Sequence, residues 1–269
     1  MTPYREIAPA NLNLALHVRG KLADGRHAIE TVFAFCTDGD RLSAEESDRI
    51  SLSIGGPFAG ELGASEDNLV MKAARALAQA AAVRKGASIT LDKRLPVASG
   101  LGGGSADAAA TLRILTSLWR IDPIHAQEVA PQLGSDVPAC VLSLPARGEG
   151  AGDKLTPLQL PELSGKPALL VNPRVPLSTA EVFARWDGID GGPLSDWHAG
   201  RNDLEAPAIA LVPQIGSVLG WLSAQAGGTF VRMSGSGATC FALFESEEAR
   251  DSAAEAVPRE WWRLATFLR

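Results

Sequence analysis

The sequence predicts an α+β chain of two domains, and three observations carry that expectation. Segment 1–60 alternates apolar and polar residues in several short runs. A Gly-rich loop, Pro96–Ala106, then joins a strand pattern to a helix pattern rich in Ala and Leu. Finally, a Pro- and Gly-rich connection at 145–167 separates this half from one that reads β-α-α-β-β-α-β, the order of an antiparallel sheet with helices on one face. The 269 residues allow one large domain or two smaller ones. The boundary is placed inside the connection, giving domains 1–155 and 156–269.

In chain order, Leu12, Leu14, Leu16 and Val18 alternate with more polar neighbours, a strand with one buried face. Asp24-Gly25 predicts a turn and residues 29–36 the next strand. Asp38-Gly39-Asp40 predicts another turn, and 49–54 a further strand, so this region reads as mostly antiparallel. Asp67-Asn68 supplies a cap for a helix through Val83 with Leu69, Val70, Ala73 and Leu77 on its apolar face. A strand at 87–93 leads to the Gly-rich loop and its helix through Leu118. Pro123 opens a helix closed by Gly134, and Ser135-Asp136-Val137-Pro138 opens another. After the connection come a strand at 168–171, a helix from the capping box Ser178–Glu181, and a loop at 187–202. One helix is expected over 207–226 despite Pro213. Strands at 229–233 and 239–244 flank Gly235-Ser236-Gly237, and a helix at 247–256 precedes a last strand at 261–268.

Composition excludes several function classes. Hydrophobic residues make up 46% and charged residues 21%, ordinary for a folded chain with a sizeable core. The net charge of −6 and the absence of a basic cluster argue against nucleic acid as a partner. Cys36, Cys140 and Cys240 are odd in number, far apart and in apolar surroundings, with no metal-binding spacing; they read as buried thiols in a reducing compartment. Met1–Glu6 has no basic-then-apolar signal, and no apolar run is long enough to cross a bilayer. A cytoplasmic protein without a membrane partner is expected.

The loop Pro96, Val97, Ala98, Ser99, Gly100, Leu101, Gly102, Gly103, Gly104, Ser105, Ala106 carries the chemistry. Its glycines leave backbone N–H groups unhidden, and the helix behind it offers unpaired amides and a positive dipole end. Together these cradle an anion, phosphate above all; the plainer alternative is a flexible turn before a helix. No G-x-x-x-x-G-K-[ST] occurs, so this is not a P-loop. Gly100-x-Gly102-x-x-Ser105 lacks the third Gly of a dinucleotide fingerprint, and Lys93–Pro96 is too long for its tight turn. The protein-kinase loop and its His-Arg-Asp and Asp-Phe-Gly partners are missing too.

What remains, P-x-x-x-G-L-G-G-G-S-A opening a helix, resembles the second motif of the GHMP kinases, which phosphorylate small molecules. Ala8-Pro-Ala-Asn-Leu-Asn-Leu14 is similar to the family's N-terminal motif, and Met233-Ser-Gly-Ser-Gly-Ala-Thr-Cys-Phe241 to its C-terminal one. Ala23–His27, Leu133–Pro138 and Asn202-Asp203-Leu204 narrow the resemblance to a branch acting on a cytidine diphosphate substrate. The resemblance implies a GHMP-kinase-like fold, with an N-terminal α/β domain of S5-like type and a C-terminal ferredoxin-like α+β domain. It also implies transfer of the ATP γ-phosphoryl, with Mg²⁺, to a 2-hydroxyl. Another GHMP kinase, or a nucleotide-binding homologue with weakened or lost turnover, stays open as an alternative.

The residue roles follow from the resemblance. The amides of 100–105 hold the ATP phosphates, and Ser105 adds a hydroxyl to phosphate or Mg²⁺ while also standing where a helix N-cap would. Ser99 replaces a Gly common in the family. Asp136 is the base for the substrate hydroxyl, its plainer reading being a helix cap. Asn11 stands where the family motif carries Lys, which keeps hydrogen bonding but removes a cation from beside the base. Lys21, Lys93 and Lys154 are other cations that could reach in. For the cytidine end, the resemblance points to His27, Phe183, Thr179 and Asn13. Arg26 takes the place of a stacking Tyr, and a guanidinium plane can also stack. Gly235 and Gly237 let backbone approach the transferring phosphate. Without the resemblance, Phe183 reads equally as core, His27 as a turn residue, and the two glycines as a tight turn.

Overall fold

The computed structural model describes residues 3–62 and 67–269; Met1 and Thr2, the start of the segment read as lacking a signal, lie outside them, as do 63–66. The elements run β1 (Tyr4–Lys21), β2 (His27–Ser47), β3 (Ser51–Gly55), α1 (Leu69–Ala80), β4 (Gly86–Asp92), α2 (Gly103–Trp119), α3 (Ile124–Leu133) and α4 (Val137–Leu142). They continue with β5 (Ala146–Glu149), β6 (Lys154–Pro157), β7 (Pro167–Asn172), α5 (Thr179–Ala184), α6 (Glu205–Leu211), α7 (Gln214–Ser223), β8 (Gly228–Met233), β9 (Cys240–Phe244), α8 (Glu247–Ala256) and β10 (Trp262–Phe267). The chain falls into two compact units that interleave along the sequence. One gathers the described part of Met1–Ala10 with Asp38–Val97 and Gly102–Ser143; the other gathers Asn11–Thr37, Ala98–Leu101 and Leu144–Arg269.

In the first unit, Arg41–Ser47 of β2 pairs antiparallel with β4, and β3 pairs parallel with β4. The pairs of β2 with β4 and β5 are antiparallel, in line with a mostly antiparallel start of the chain, while β3 pairs parallel with the later β4: α1 lies between them in sequence, and a helical crossover returns the chain in the same direction. The expected turn at Asp38–Asp40 is absent too, because β2 runs straight through it. A side chain at Gly39 would collide with the Ala8 carbonyl, so this glycine serves close strand approach rather than a bend. Asn68 caps α1, its side chain accepting from Val70 N. Helix α2 is buried on almost every side, which is why its core stretch is Ala-rich and not amphipathic. It starts at Gly103 with the left-handed Gly102 as N-cap, so Ser105 lies in the first turn and is not the cap.

In the second unit, Thr31–Phe33 of β2 pairs with β5, and β5 with β6. This hairpin falls where the sequence reads as plain connection; Gly150 and Gly152, both at positive φ, make its turn. The four strands of the second half order as β10-β7-β9-β8, all antiparallel. Numbered within that half the order is 4-1-3-2, the ferredoxin-like plan. Strands β7 and β9 are central and buried almost throughout, whereas the edge strand β8 is half-buried. Leu169, Val171, Cys240, Ala242 and Phe244 pack with Val218, Leu222 and Ala253 of α7 and α8. The single helix expected over 207–226 is two: Val212 leaves helical geometry and Pro213 starts α7, since a proline supplies no N–H for the helix to continue through.

Candidate active site

The Gly-rich loop has the backbone its glycines require. Ala98, Gly100 and Gly102 all have positive φ, at 50°, 75° and 57°. Positive φ at every second residue coils the loop tightly, which glycine allows at two of the three positions. Ala106 N makes a bond to Gly102 O at 2.8 Å, leaving the amides of Gly103, Gly104 and Ser105 ahead of it at the positive end of α2. Gly100 is fixed by packing: a Cβ there would sit 2.5 Å from Ser234 O and 2.6 Å from Gly237 O. The Ser99 carbonyl accepts from Thr239 N at 3.0 Å and the Leu101 carbonyl from Asn11 N at 3.1 Å. Segment 98–101 is thereby tied to both the N-terminal and the C-terminal motif. Pro96 and Leu101 are buried and Val97 is half-buried.

The C-terminal Gly loop is held from three sides. Asn202 Nδ2 donates to Met233 O and Gly235 O, both at 2.8 Å. Ser234 Oγ accepts from Asn13 N at 3.2 Å, and the Asn13 amide donates to Thr31 Oγ1 at 2.8 Å. Thr179 and Ser236 hydroxyls meet at 2.8 Å. Gly235 and Gly237 both have positive φ, and a Cβ on Gly235 would crowd Asn13 Oδ1 at 3.3 Å. The structure therefore brings together Asn13, Thr179, Gly235 and Gly237 from three separate stretches.

His27 stacks on Phe183 with ring centroids 4.6 Å apart and 27° between planes. Trp186 meets His27 edge-on at 5.8 Å. Burial, assisted by the Lys21 charge, pushes the His27 pKa below its usual value, which favours the neutral ring. Trp186 escaped the sequence reading; its spacing of three from Phe183 on a helical segment was the available signal. Arg26 is turned away to acidic partners. Its Nε donates to Asp24 Oδ2 at 2.8 Å, and a second nitrogen lies 3.8 Å from Asp153.

Asp136 precedes α4 and makes no cap bond, so its carboxylate is not spent on the helix. Ser135 Oγ donates to it at 3.2 Å. Burial raises its pKa, the Ser135 hydrogen bond opposing in smaller measure. Asn11 is buried, 2% exposed. Among the other cations, Lys93 is committed elsewhere: only 2% exposed, its ammonium donates to Asp40 Oδ2 at 2.6 Å and Asp107 Oδ2 at 2.7 Å. Neither aspartate stood out in the sequence, because nothing local pairs residues so far apart in the chain. Among the described residues no cluster of three or more His, Cys, Asp or Glu forms a metal cage, and none of the helices is long and apolar enough to cross a membrane.

Residues 68–143 match the family model for the GHMP kinases N terminal domain, and 191–264 the model for the GHMP kinases C terminal region. A 4-diphosphocytidyl-2-C-methyl-D-erythritol kinase from Rhizorhabdus wittichii is 52% identical, covering 98% of this chain and 94% of its own. The kinase of the same name from Novosphingobium aromaticivorans is 49% identical, over 98% and 93%. A crystal structure of 4-(cytidine 5'-diphospho)-2C-methyl-D-erythritol kinase superposes with a TM-score of 0.84 at 34% identity, over 98% of both chains. Homoserine kinase from Cytophaga hutchinsonii shares the fold, with a TM-score of 0.74 at 17% identity. With its loops, its 4-1-3-2 sheet and relatives of near-equal length, the chain belongs to the GHMP kinase family, the ATP-dependent small-molecule phosphotransferases.

Proposed function

We propose that the protein transfers the γ-phosphoryl group of ATP to the 2-hydroxyl of 4-diphosphocytidyl-2-C-methyl-D-erythritol, a step of the non-mevalonate route to isopentenyl diphosphate, in the cytoplasm. The observation that carries the substrate is similarity along almost the whole chain to kinases of that name. The division at 155/156, between the two matched regions, belongs to the same proposal.

Phosphoryl transfer asks mainly for positioning and charge neutralisation. The amides at the start of α2 and along 100–105 hold the ATP phosphates, and residues 96–106 form the nucleotide loop. Asp136 accepts the proton of the substrate hydroxyl; its oxygen forms the new bond to the γ-phosphorus while the bond to the β-phosphate oxygen breaks and ADP leaves. The Ser105 hydroxyl is the loop side chain that would help hold a Mg²⁺ carried in with ATP, which when bound would neutralise phosphate charge. Gly235 and Gly237 let backbone come close to the transferring group. The base of the substrate packs against the His27–Phe183 pair, with Asn13 and Thr179 beside it. Rings stacked at 4.6 Å admit no third ring between them, so the base lies on an outer face or parts them. The Asp24 bond engages the edge of the Arg26 guanidinium and leaves its face for stacking.

A second reading, a nucleotide-binding homologue with slowed or lost turnover, draws on the Asn11 position and on an Asp136 whose burial raises its pKa. An ADP-release assay with purified protein tests both. ADP produced only with the cytidine substrate, and lost in Asp136→Asn, supports the first. ATP binding without turnover supports the second, and turnover with mevalonate or homoserine instead points to another member of the family.

A further inference from the structure

Three buried charged side chains in the first unit have no part in the mechanism above. Lys93, the residue after β4, lies at the entrance to the phosphate loop. Its backbone is locked: its N–H donates to Gly55 O at 2.8 Å, and its carbonyl accepts from Phe58 N at 3.2 Å. Its ammonium bonds to Asp40 on β2 and to Asp107 on α2. Asp40 is 0% exposed, and its other oxygen accepts the amides of Arg94 and Leu95, the latter at 2.8 Å, which are the two residues that lead into the loop. Asp107 stands one turn into the helix that ends the loop. A Cβ on Gly103 would lie 3.0 Å from the Lys93 ammonium, so that charge sits directly behind the first helical residue. The second oxygen of Asp107 is buried and meets no hydrogen-bond donor.

We propose that Lys93 is a positioning residue for the phosphate loop, clamped by Asp40 and Asp107 so that its ammonium fixes the strand where the loop begins against the helix turn where it ends. The proposal rests on reading 96–106 as the nucleotide loop, and it deepens that reading. Buried ion pairs add little stability over apolar side chains of the same volume, so two of them sharing Lys93 are poorly explained by stability alone. A buried ion network does specify one geometry, because any displacement leaves a charge unpaired at a cost of several kcal/mol. Anion binding through backbone amides needs that constancy, since small misplacements of positioning groups cost rate and affinity steeply.

The test combines steady-state kinetics on the full chain, each substrate varied in turn, with calorimetric binding of ADP. Lys93→Met raises the KM for ATP and weakens ADP binding by about tenfold or more, with the KM for the cytidine substrate unchanged. Asp107→Asn keeps an oxygen for the ammonium and stays within about threefold of the parent. The triple variant Lys93→Met, Asp40→Asn, Asp107→Leu removes all three charges, keeps an oxygen for the Arg94 and Leu95 amides, recovers thermal stability and still binds ADP weakly; it decides the matter where Lys93→Met alone does not fold. Parent-like ADP binding in the triple variant, or KM values for both substrates rising together, overturns the proposal. Absence of ADP release by the parent protein removes the kinase reading, while the ADP-binding measurement still decides the role of Lys93.

Discussion

At the scale of single residues, Asn11 and Asp136 set the sharpest expectation. For Asp136 as the base proposed above, the carboxyl must be ionised to take a proton, and burial raises its pKa, so activity climbs with rising pH on the acidic side. Under that proposal the charge of a lysine at position 11, as in the family motif, favours the carboxylate. Asn11→Lys is therefore expected to keep or raise kcat and to move the acidic limb of the kcat–pH profile to lower pH; an unmoved limb with reduced kcat refutes the proposed role of position 11. Gly100 yields a second expectation. At φ 75° and with carbonyls 2.5 and 2.6 Å from any added Cβ, Gly100→Ala strains the backbone by roughly 1–3 kcal/mol and displaces the loop from Ser234 and Gly237. A fall in thermal midpoint together with a raised KM for ATP is the expected result; a KM for ATP equal to the parent's denies that the loop geometry serves the nucleotide.

At the scale of elements, local chemistry was the legible part. Asn68 and Ser178 cap their helices as their sequence context implies, and α8 spans the predicted residues. The strands of the second half follow their apolar runs closely because β7 and β9 are central and fully buried. The misses have a common physical origin, in contacts distant in sequence. Asp-Gly-Asp reads as a turn until Ala8 and Lys93 are seen to need Gly39 and Asp40 within a strand. In the candidate site, the positive φ of Gly100, Gly102, Gly235 and Gly237 was legible from their motifs, whereas Trp186 and the Lys93 cluster depend on where α5 and α2 place them. Trp186, just beyond α5, holds His27 edge-on. Such aromatic pairs contribute about 0.5–1.5 kcal/mol, so Trp186→Leu should raise the KM for the cytidine substrate roughly two- to tenfold and leave that for ATP alone. Equal changes in both would mean that the ring supports the fold rather than the base.

At the scale of the whole molecule, the buried carboxylates make stability depend on pH in a direction unusual for acidic groups. Burial pushes the Asp107 pKa up to about 7, the charge of Lys93 opposing and that of Asp40 assisting. In the unfolded chain the group ionises near the ordinary aspartate value of 3.8. Below that pH both states hold the proton and stability from this residue is fully present. Between there and about 7 the unfolded state has released its proton while the folded state keeps it, so stability falls as pH rises, and the loss is complete above the folded value. His17 works in the opposite sense. Its ring accepts from Arg201 N and donates to Gly192 O, and burial lowers its pKa, so its contribution is lost as pH falls below 6.5. A single pH scan of the parent therefore mixes the two, and the difference between parent and Asp107→Asn isolates the carboxylate, since asparagine does not titrate. Urea midpoints measured from pH 5 to pH 8 should show the asparagine variant gaining on the parent steadily toward alkaline pH, by up to a few kcal/mol. A gap that stays constant across the range would mean that Asp107 is ionised throughout and that Lys93 holds it as a full ion pair.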